Sequence, residues 1–257
     1  MPVLRCQYYN QETTRRTGCH NLGFKSGRQA TMLYSARAGA WVVEVVERGA
    51  PRRLLNDTEC QQGVAKAVRL LEEGGVVAFP TDTLYGLGAD IFSLPALQRV
   101  FAIKGRSEDL ALPVLLGNWE QLEMVAQPLS DNALELARRF WPGSLTLVVP
   151  KAPGVPGLLT AGRPTVAVRM PGHRVARALA EGLDGPITGT SANPSGGPDP
   201  LTLAEVEAQV GGLVDYIIRC GPVPQGISST IVDVTSGFPK LIRQGALPFE
   251  EVLGSGS

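Results

Sequence analysis

The stretch VVAFPTDTLYGLGAD, residues 76–90, passes abruptly from apolar to polar sequence. Residues 76–79 predict a short buried strand, because they form an apolar run that a proline then interrupts. Thr81, Asp82 and Thr83 follow at once, and glycines stand at 86 and 88. Two interpretations are open from these residues: a tight turn with a purely structural role, or a strand end that carries polar groups into a cleft.

Helical and strand patterns alternate on both sides of this stretch. Before it, GVAKAVRLLEEGG has apolar residues on one helical face; after it, Ser93 and Pro95 predict a helix start and Gly105 a helix end. SDNALELARRFW, HRVARALAEG and LTLAEVEAQV predict further helices between the short strands SLTLVV, TVAVR, PITGT, DYIIR, STIVDV and KLIR. This order predicts one α/β domain with a twisted, mixed, open sheet flanked by helices.

The predicted boundaries are 58–250 for this domain and 251–257 for a flexible tail. Residues 1–57 form an N-terminal extension that we expect to be partly disordered or to add an edge strand at 39–49. Residues 1–53 hold nine Lys/Arg against three Asp/Glu, a net charge of +6, whereas the whole chain is neutral. Such a basic arm is typical of a solvated tail, and contact with RNA is the alternative.

Bulk composition narrows the protein class. The 257 residues are 44% apolar, yet no apolar run approaches the ~20 residues of a membrane span, and no signal-peptide pattern opens the chain. We therefore expect a cytoplasmic protein with no membrane contact. The four cysteines are scattered, which predicts free thiols. With only two histidines, a histidine-based metal site or nucleophile triad is not expected.

Common nucleotide and hydrolase motifs are missing. The chain has no G-x-x-x-x-G-K-[ST] loop and no G-x-S-x-G elbow, and GLGADI supplies only two of the three glycines of a dinucleotide turn. Polar residues instead stand at or beside the ends of the predicted strands and helices, namely Lys104, Arg106, Arg169, Ser191, Asn193, Ser228, Ser229 and Arg243. Ligands of open α/β sheets bind at strand ends, and arginine forks suit carboxylates and phosphates. Each residue alone also fits a turn, a helix cap or a surface ion pair; together they predict an anionic ligand.

Six ordered motifs carry a resemblance to a known family: PTDTLYGLGAD, KGRS, TVAVRMPGH, TSANPSG, SSTIVDV and LIRQGAL. Over residues 58–246 they closely resemble the Sua5/YrdC family of L-threonylcarbamoyladenylate synthases. The K-x-R…S-x-N tetrad of that family falls on Lys104, Arg106, Ser191 and Asn193. The resemblance implies a YrdC-like catalytic domain.

The resemblance also implies the reaction. L-threonine, bicarbonate and ATP would give L-threonylcarbamoyladenylate and pyrophosphate, and a separate tRNA threonylcarbamoyl transferase would use the product to modify tRNA position 37. Mg²⁺ is expected with ATP, and no structural metal is expected. The tetrad is expected to be catalytic. The implied threonine-binding residues are Thr81, Thr83, Arg169 and Ser229. The implied ATP-binding residues are Lys104, Arg106, Thr165, Ser191, Asn193 and Arg243.

The chain departs from the family pattern at three positions. Leu110 replaces a polar ATP contact, Leu115 stands where some members have a threonine-contacting histidine, and Asp199 replaces a frequent serine. Two alternatives to the synthase stay open: a non-catalytic YrdC-like module that binds double-stranded RNA or tRNA, and a carbamoyl-adenylate-forming domain like that of hydrogenase-maturation proteins.

Overall fold

The computed structural model describes residues 21–23, 28–35, 40–47 and 58–254, and the chain divides into the units Met1–Leu54 and Leu55–Ser257. In the first unit, strands β1 (Asn21–Gly23), β2 (Arg28–Ser35) and β3 (Ala40–Glu47) form an antiparallel sheet in the order β1-β2-β3. The sequence pattern pointed to a strand only at β3. Strand propensity depends on the pairing partner, so β2 could not be identified from its own residues.

The helices of the second unit lie between its strands, as the sequence pattern predicted. They are α1 (Thr58–Glu72), α2 (Leu94–Lys104), α3 (Glu120–Val125), α4 (Asp131–Phe140), α5 (Gly157–Thr160), α6 (Arg174–Gly182), α7 (Leu203–Val210) and α8 (Phe249–Val252). Ser93 caps the N-terminus of α2 by accepting from the Ala96 amide, and Gly105 ends the helix at a φ of 54°. Helix α8 extends into residues 251–257, for which the sequence favoured a flexible tail.

The strands of the second unit are short. They are β4 (Val77–Pro80), β5 (Tyr85–Gly88), β6 (Val114–Leu115), β7 (Leu145–Pro150), β8 (Thr165–Arg169), β9 (Ile187–Thr188), β10 (Thr190–Ser191), β11 (Tyr216–Ile217), β12 (Thr230–Asp233) and β13 (Lys240–Arg243). They form a four-stranded sheet, β10-β5-β4-β11, and a six-stranded sheet, β13-β12-β7-β8-β6-β9. Both sheets mix parallel and antiparallel pairs, which confirms the predicted open, mixed α/β architecture.

A disulfide joins Cys60 of α1 to Cys220, which follows β11. The two Cα atoms are 5.6 Å apart, although 160 residues separate them in sequence. The prediction of free thiols is therefore wrong for this pair, because its spacing along the chain resembles no known framework. Cys6 and Cys19 lie outside the described residues.

Every helix among the described residues falls short of the length and apolar content that crossing a bilayer requires.

Candidate functional site

A cavity of about 660 Å³ opens on one face of the six-stranded sheet. Segments far apart in sequence form its walls: the turn after β4, the C-terminal end of α2, the loop 189–199, the residues before β12, and β13. The cavity therefore lies where strand ends and loops of both sheets meet, the usual ligand position in open α/β folds.

The two-residue period of the strands decides which side chains reach this cavity. Thr146 and Val148 of β7 line it, together with Ala167 and Arg169 of β8, whereas Leu147 is fully buried in the core. Successive side chains of a strand point to opposite faces. One face of β7 and β8 therefore fills the core and the other forms the cavity floor.

Arg169 is a buried cation of the cavity, 5% exposed, and protein acceptors hold it on three sides. Its Nε donates to the Gly143 carbonyl at 2.7 Å, Nη1 donates to Thr83 Oγ1 at 2.9 Å, and Nη2 pairs with Asp82 Oδ1 at 2.5 Å. Burial lowers the pKa of Arg169, and the charge of Asp82 opposes that shift. A guanidinium has five N–H groups. The second N–H of Nη1 has no partner among the described residues, so it is the one that a carboxylate ligand could use, whereas Nη2 is fully enclosed beside Asp82.

The turn after β4 explains the polar residues of the opening stretch. Thr81 Oγ1 donates to the Leu84 carbonyl at 2.6 Å and accepts from the amides of Thr83 and Leu84 at 3.1 and 3.2 Å. The hydroxyls of Thr81 and Thr83 are 3.0 Å apart, and because Thr81 already donates elsewhere, Thr83 must be the donor between them. Thr83 can then only accept from Arg169. The turn is thus both structural and part of the cavity, since it fixes Thr83 and through it Arg169.

Lys104, Ser191 and Asn193 form a closed hydrogen-bonded cluster on another wall. The Lys104 ammonium donates to the Ser191 carbonyl at 2.8 Å, to Ser191 Oγ at 3.3 Å and to Asn193 Oδ1 at 2.8 Å. The Asn193 amide in turn donates to the carbonyls of Gly197 and Pro198. Lys104 therefore ties the end of α2 to the loop 189–199 and places its charge at the cavity wall.

The charge of Lys104 is sensitive to pH. Burial lowers its pKa from 10.5 to about 8; repulsion from Arg106 adds to this shift, and attraction to Asp199 opposes it. An anion bound in the cavity would stabilise the charged form.

Three arginines line the more open part of the cavity. Arg106 donates to the Ala111 carbonyl at 3.2 Å through Nη2, while its buried Nε has no partner among the described residues. Arg243 donates to the Ser229 carbonyl at 2.9 Å. Arg163 is exposed at the same cavity. Most of their N–H groups point to no protein acceptor within the described part of the chain, which suits a ligand with several anionic oxygens.

A second hydroxyl pair lies on the cavity floor. Thr146 Oγ1 and Ser229 Oγ are 2.8 Å apart, with 2% of Thr146 and 8% of Ser229 exposed. Arg243 Nη2 approaches Ser229 Oγ at 3.4 Å.

The structure brings nearly all of the predicted site residues together. The lining includes Thr81, Thr83, Lys104, Arg106, Arg169, Ser191, Asn193, Ser229 and Arg243. Thr165 is the exception: it pairs with Pro150 at the start of β8 and does not line the cavity.

Thr146 and Arg163 line the cavity but were missed by the sequence reasoning, which also did not predict the ion pair between Asp82 and Arg169. Asp82 stands inside the opening turn, and Thr146 is the one hydroxyl in an otherwise apolar strand. Those were usable signals, whereas nothing in the sequence distinguished Arg163 from a surface cation.

Leu110 and Leu115, the two leucines that depart from the family pattern, lie in different environments. Leu110 is 47% exposed at the cavity, whereas Leu115 is 2% exposed on β6 beside Arg169 of β8. A Cβ on Gly189 would lie 2.5 Å from Leu115 Cγ, so a glycine is needed where this leucine packs.

Fold and cavity together define an α/β protein built to hold an anionic ligand: five cations and one exposed carboxylate, Asp199, line the cavity among the described residues. The Sua5/YciO/YrdC family model, described as "Telomere recombination", matches residues 69–245. The chain belongs to this family.

Curated relatives agree with this membership. The threonylcarbamoyl-AMP synthase of Pyrococcus abyssi is 45% identical over 186 residues, which are 72% of this chain and 55% of the relative. The putative threonylcarbamoyl-AMP synthase of Mycobacterium tuberculosis H37Rv is 40% identical over 75% of this chain and 90% of its own length. This chain therefore spans little more than half of the archaeal protein and most of the mycobacterial one.

A solved structure is similar over the same region. The crystal structure of P. abyssi Sua5 complexed with L-threonine is 43% identical, with a TM-score of 0.71. The match covers 75% of this chain and 57% of that one.

Proposed function

We propose that this chain is an L-threonylcarbamoyladenylate synthase. It would join L-threonine, bicarbonate and ATP, releasing pyrophosphate and water, and its product would supply a separate transferase that modifies tRNA. The names of the P. abyssi and M. tuberculosis relatives support this proposal, as does the similar P. abyssi structure complexed with L-threonine. Residues 58–250 would form the catalytic domain. The cytoplasm, where ATP and tRNA meet, is the proposed compartment.

One observation carries the proposal. The same cavity combines an enclosed guanidinium, Arg169, with a more open region that holds Arg106, Arg163 and Arg243. A small amino acid suits the first region and a triphosphate suits the second, because each presents the matching negative charge. A synthase that joins the two substrates needs both regions in one cavity.

At the enclosed end, Arg169 would bind the threonine carboxylate through the remaining N–H of Nη1. Thr81 and Thr83 would contribute by holding the guanidinium and closing the wall, and Ser229 would contact the amino acid. Holding the amine in place matters because its carbamate is unstable in water and must meet ATP without dissociating.

At the open end, the triphosphate would lie among Lys104, Arg106 and Arg243. The threonine amine attacks the carbon derived from bicarbonate, and the resulting carbamate oxygen attacks the α-phosphorus as pyrophosphate leaves. Negative charge builds up on the leaving phosphates, and fixed cations lower that barrier. Ser191 and Asn193 would act by fixing Lys104 and the adjoining loop. Thr165 is assigned a less direct role than the other nucleotide residues, because it lies outside the cavity lining.

Mg²⁺ would arrive with ATP and neutralise part of its phosphate charge. Among the described residues of the cavity lining, Asp199 alone offers a carboxylate to it. This fits a metal held mostly by phosphate oxygens and water.

The test is identification of the product by mass. We expect pyrophosphate release, and a threonylcarbamoyl-adenylate product, only when ATP, bicarbonate and L-threonine are all present. Reactions without bicarbonate, with other amino acids, and with carbamoyl phosphate in place of threonine and bicarbonate are the controls. Turnover with carbamoyl phosphate alone would favour the hydrogenase-maturation type of reaction. Binding of tRNA or double-stranded RNA without any pyrophosphate release would favour the non-catalytic module.

A further inference from the structure

The two hydroxyl pairs at the cavity differ in how their protons are used. In the Thr81–Thr83 pair, both protons have protein acceptors: Thr81 donates to Leu84 and Thr83 donates to Thr81. In the Thr146–Ser229 pair, one hydroxyl donates to the other, and the second proton has no acceptor among the described residues. The contact from Arg243 to Ser229 fills an acceptor position and leaves that proton available.

The available proton lies in an enclosed place. Thr146 is 2% exposed, Ser229 is 8% exposed, and both line the cavity. A buried hydroxyl without a partner is unfavourable, so a ligand oxygen there would form a hydrogen bond that water does not readily replace.

Strand register places this pair beside Arg169. Leu147 of β7 pairs with Val168 of antiparallel β8, so the next positions, Thr146 and Arg169, are neighbours across the two strands and share the cavity face. An amino acid with its carboxylate on Arg169 has its β-carbon adjacent to the carbon that bears that carboxylate. A β-hydroxyl is thus the substituent within reach of the hydroxyl pair.

We propose that the Thr146–Ser229 pair selects the β-hydroxyl of the amino-acid substrate and that Thr146 is a specificity-determining residue. This inference rests on the proposed function and deepens it, since it explains how threonine is distinguished from an amino acid of the same carbon skeleton. Sites that hydrogen-bond a substrate hydroxyl reject analogues without it, because the buried partner is left unpaired.

The test compares L-threonine with L-2-aminobutyrate, which is threonine without its hydroxyl. We expect the wild-type chain to prefer threonine in kcat/KM by about tenfold to a hundredfold, the effect of one unpaired buried donor. Thr146→Val keeps the side-chain shape and removes the hydroxyl, so the preference should fall to within about threefold, mainly through a higher KM for threonine. Thr146→Ser is the matched control and should keep the preference.

The outcomes separate this inference from the proposed function. A Thr146→Val chain that keeps the wild-type preference would overturn the inference and leave the synthase proposal intact. If the wild-type chain shows no turnover with either amino acid, the synthase proposal fails, and calorimetric binding of the two amino acids decides the inference. Equal affinity, or no binding of either, would overturn it. If thermal unfolding shows that Thr146→Val does not fold, Thr146→Ala replaces it with the same expected loss of preference.

Discussion

The two ends of the cavity hold their cations in different ways. At the enclosed end, Arg169 is 5% exposed and three protein acceptors fix its position. At the open end, Arg106 has one protein acceptor and a buried Nε without a partner, and Arg163 is exposed without a hydrogen bond among the described residues. Arg169 is therefore fixed in place and suited to selecting a small ligand, whereas Arg106 and Arg163 depend on a ligand for most of their partners. Substitutions at the two ends should have different consequences.

The largest effect on stability is expected at the enclosed end. Arg169→Ala leaves the Asp82 carboxylate, whose side chain is 18% exposed, without its cation, and we expect a loss of about 3–5 kcal/mol in the free energy of unfolding. The matched control is Arg99→Ala, which breaks the Arg99–Asp215 pair with side chains 42% and 32% exposed and should cost about 0–1 kcal/mol. Urea denaturation of both variants gives the comparison.

A double variant sharpens this result. Adding Asp82→Asn to Arg169→Ala removes the unpaired charge and should recover part of the lost stability. In the same assay, an Arg169→Ala chain no less stable than Arg99→Ala would show that the ion pair does not hold the enclosed end. Should the single variant stay folded, its requirement for threonine in pyrophosphate release should rise.

The largest effect on turnover without a loss of fold is expected at the open end. Arg106→Ala should lower pyrophosphate release at least tenfold, because a cation facing the phosphates is lost. Its free energy of unfolding should fall by only about 1 kcal/mol, since one hydrogen bond to the described residues disappears. Lys104→Ala should also lower turnover at least tenfold, but with a clear loss of stability, because three hydrogen bonds to the loop 189–199 go with it. Near-normal turnover in both variants would reject the proposed roles.

Some of these features could be predicted from local sequence patterns, and others depend on contacts between segments that are distant in sequence. The α/β fold and the family followed from helix and strand periods and from six ordered motifs, and both are confirmed. The cavity lining was largely predicted because its residues lie in those motifs. The Arg169–Asp82 pair, the position of Thr146 and the Cys60–Cys220 disulfide depend on strand register and on contacts between distant segments. The patterns of a single sequence do not show strand register or contacts between distant segments. The motifs also did not show that the hydroxyl protons of Thr81 and Thr83 already have protein acceptors.

A smaller effect, on ATP affinity, is expected from pH. The pKa of Lys104 in the ligand-free protein is about 8, and a bound triphosphate would raise it. Below pH 8 the ammonium is charged in both states, so affinity is highest there. As pH rises above 8, the free protein loses the proton that the complex keeps, and affinity should fall. Stability should change in the opposite sense: the unfolded chain keeps this proton up to about 10.5, so the contribution of Lys104 to the free energy of unfolding rises between pH 8 and 10.5.

Calorimetric titration of ATP between pH 7 and 9.5, in buffers of different ionisation enthalpy, tests this prediction. Proton uptake on binding should appear above pH 7.5 and should be absent from Lys104→Ala. Binding that is independent of pH over that range would mean that Lys104 does not sense the triphosphate.

The smallest effect is expected at Asp199, the exposed carboxylate of the open end. Its negative charge raises the pKa values of Lys104 and Arg243, so the same charge must repel a bound triphosphate. In the absence of Mg²⁺, Asp199→Ser should therefore tighten ATP binding by about two- to fivefold, and salt should reduce the gain. The same measurement in the presence of Mg²⁺ decides the role of Asp199. If Asp199→Ser still tightens ATP binding, Asp199 is only a repulsive charge. If the substitution weakens ATP binding, Asp199 is a ligand of the metal that accompanies ATP. In either case the enclosed end should be unaffected, so Asp199→Ser should need the same threonine concentration as the wild-type chain. A changed threonine requirement would mean that the two ends are coupled.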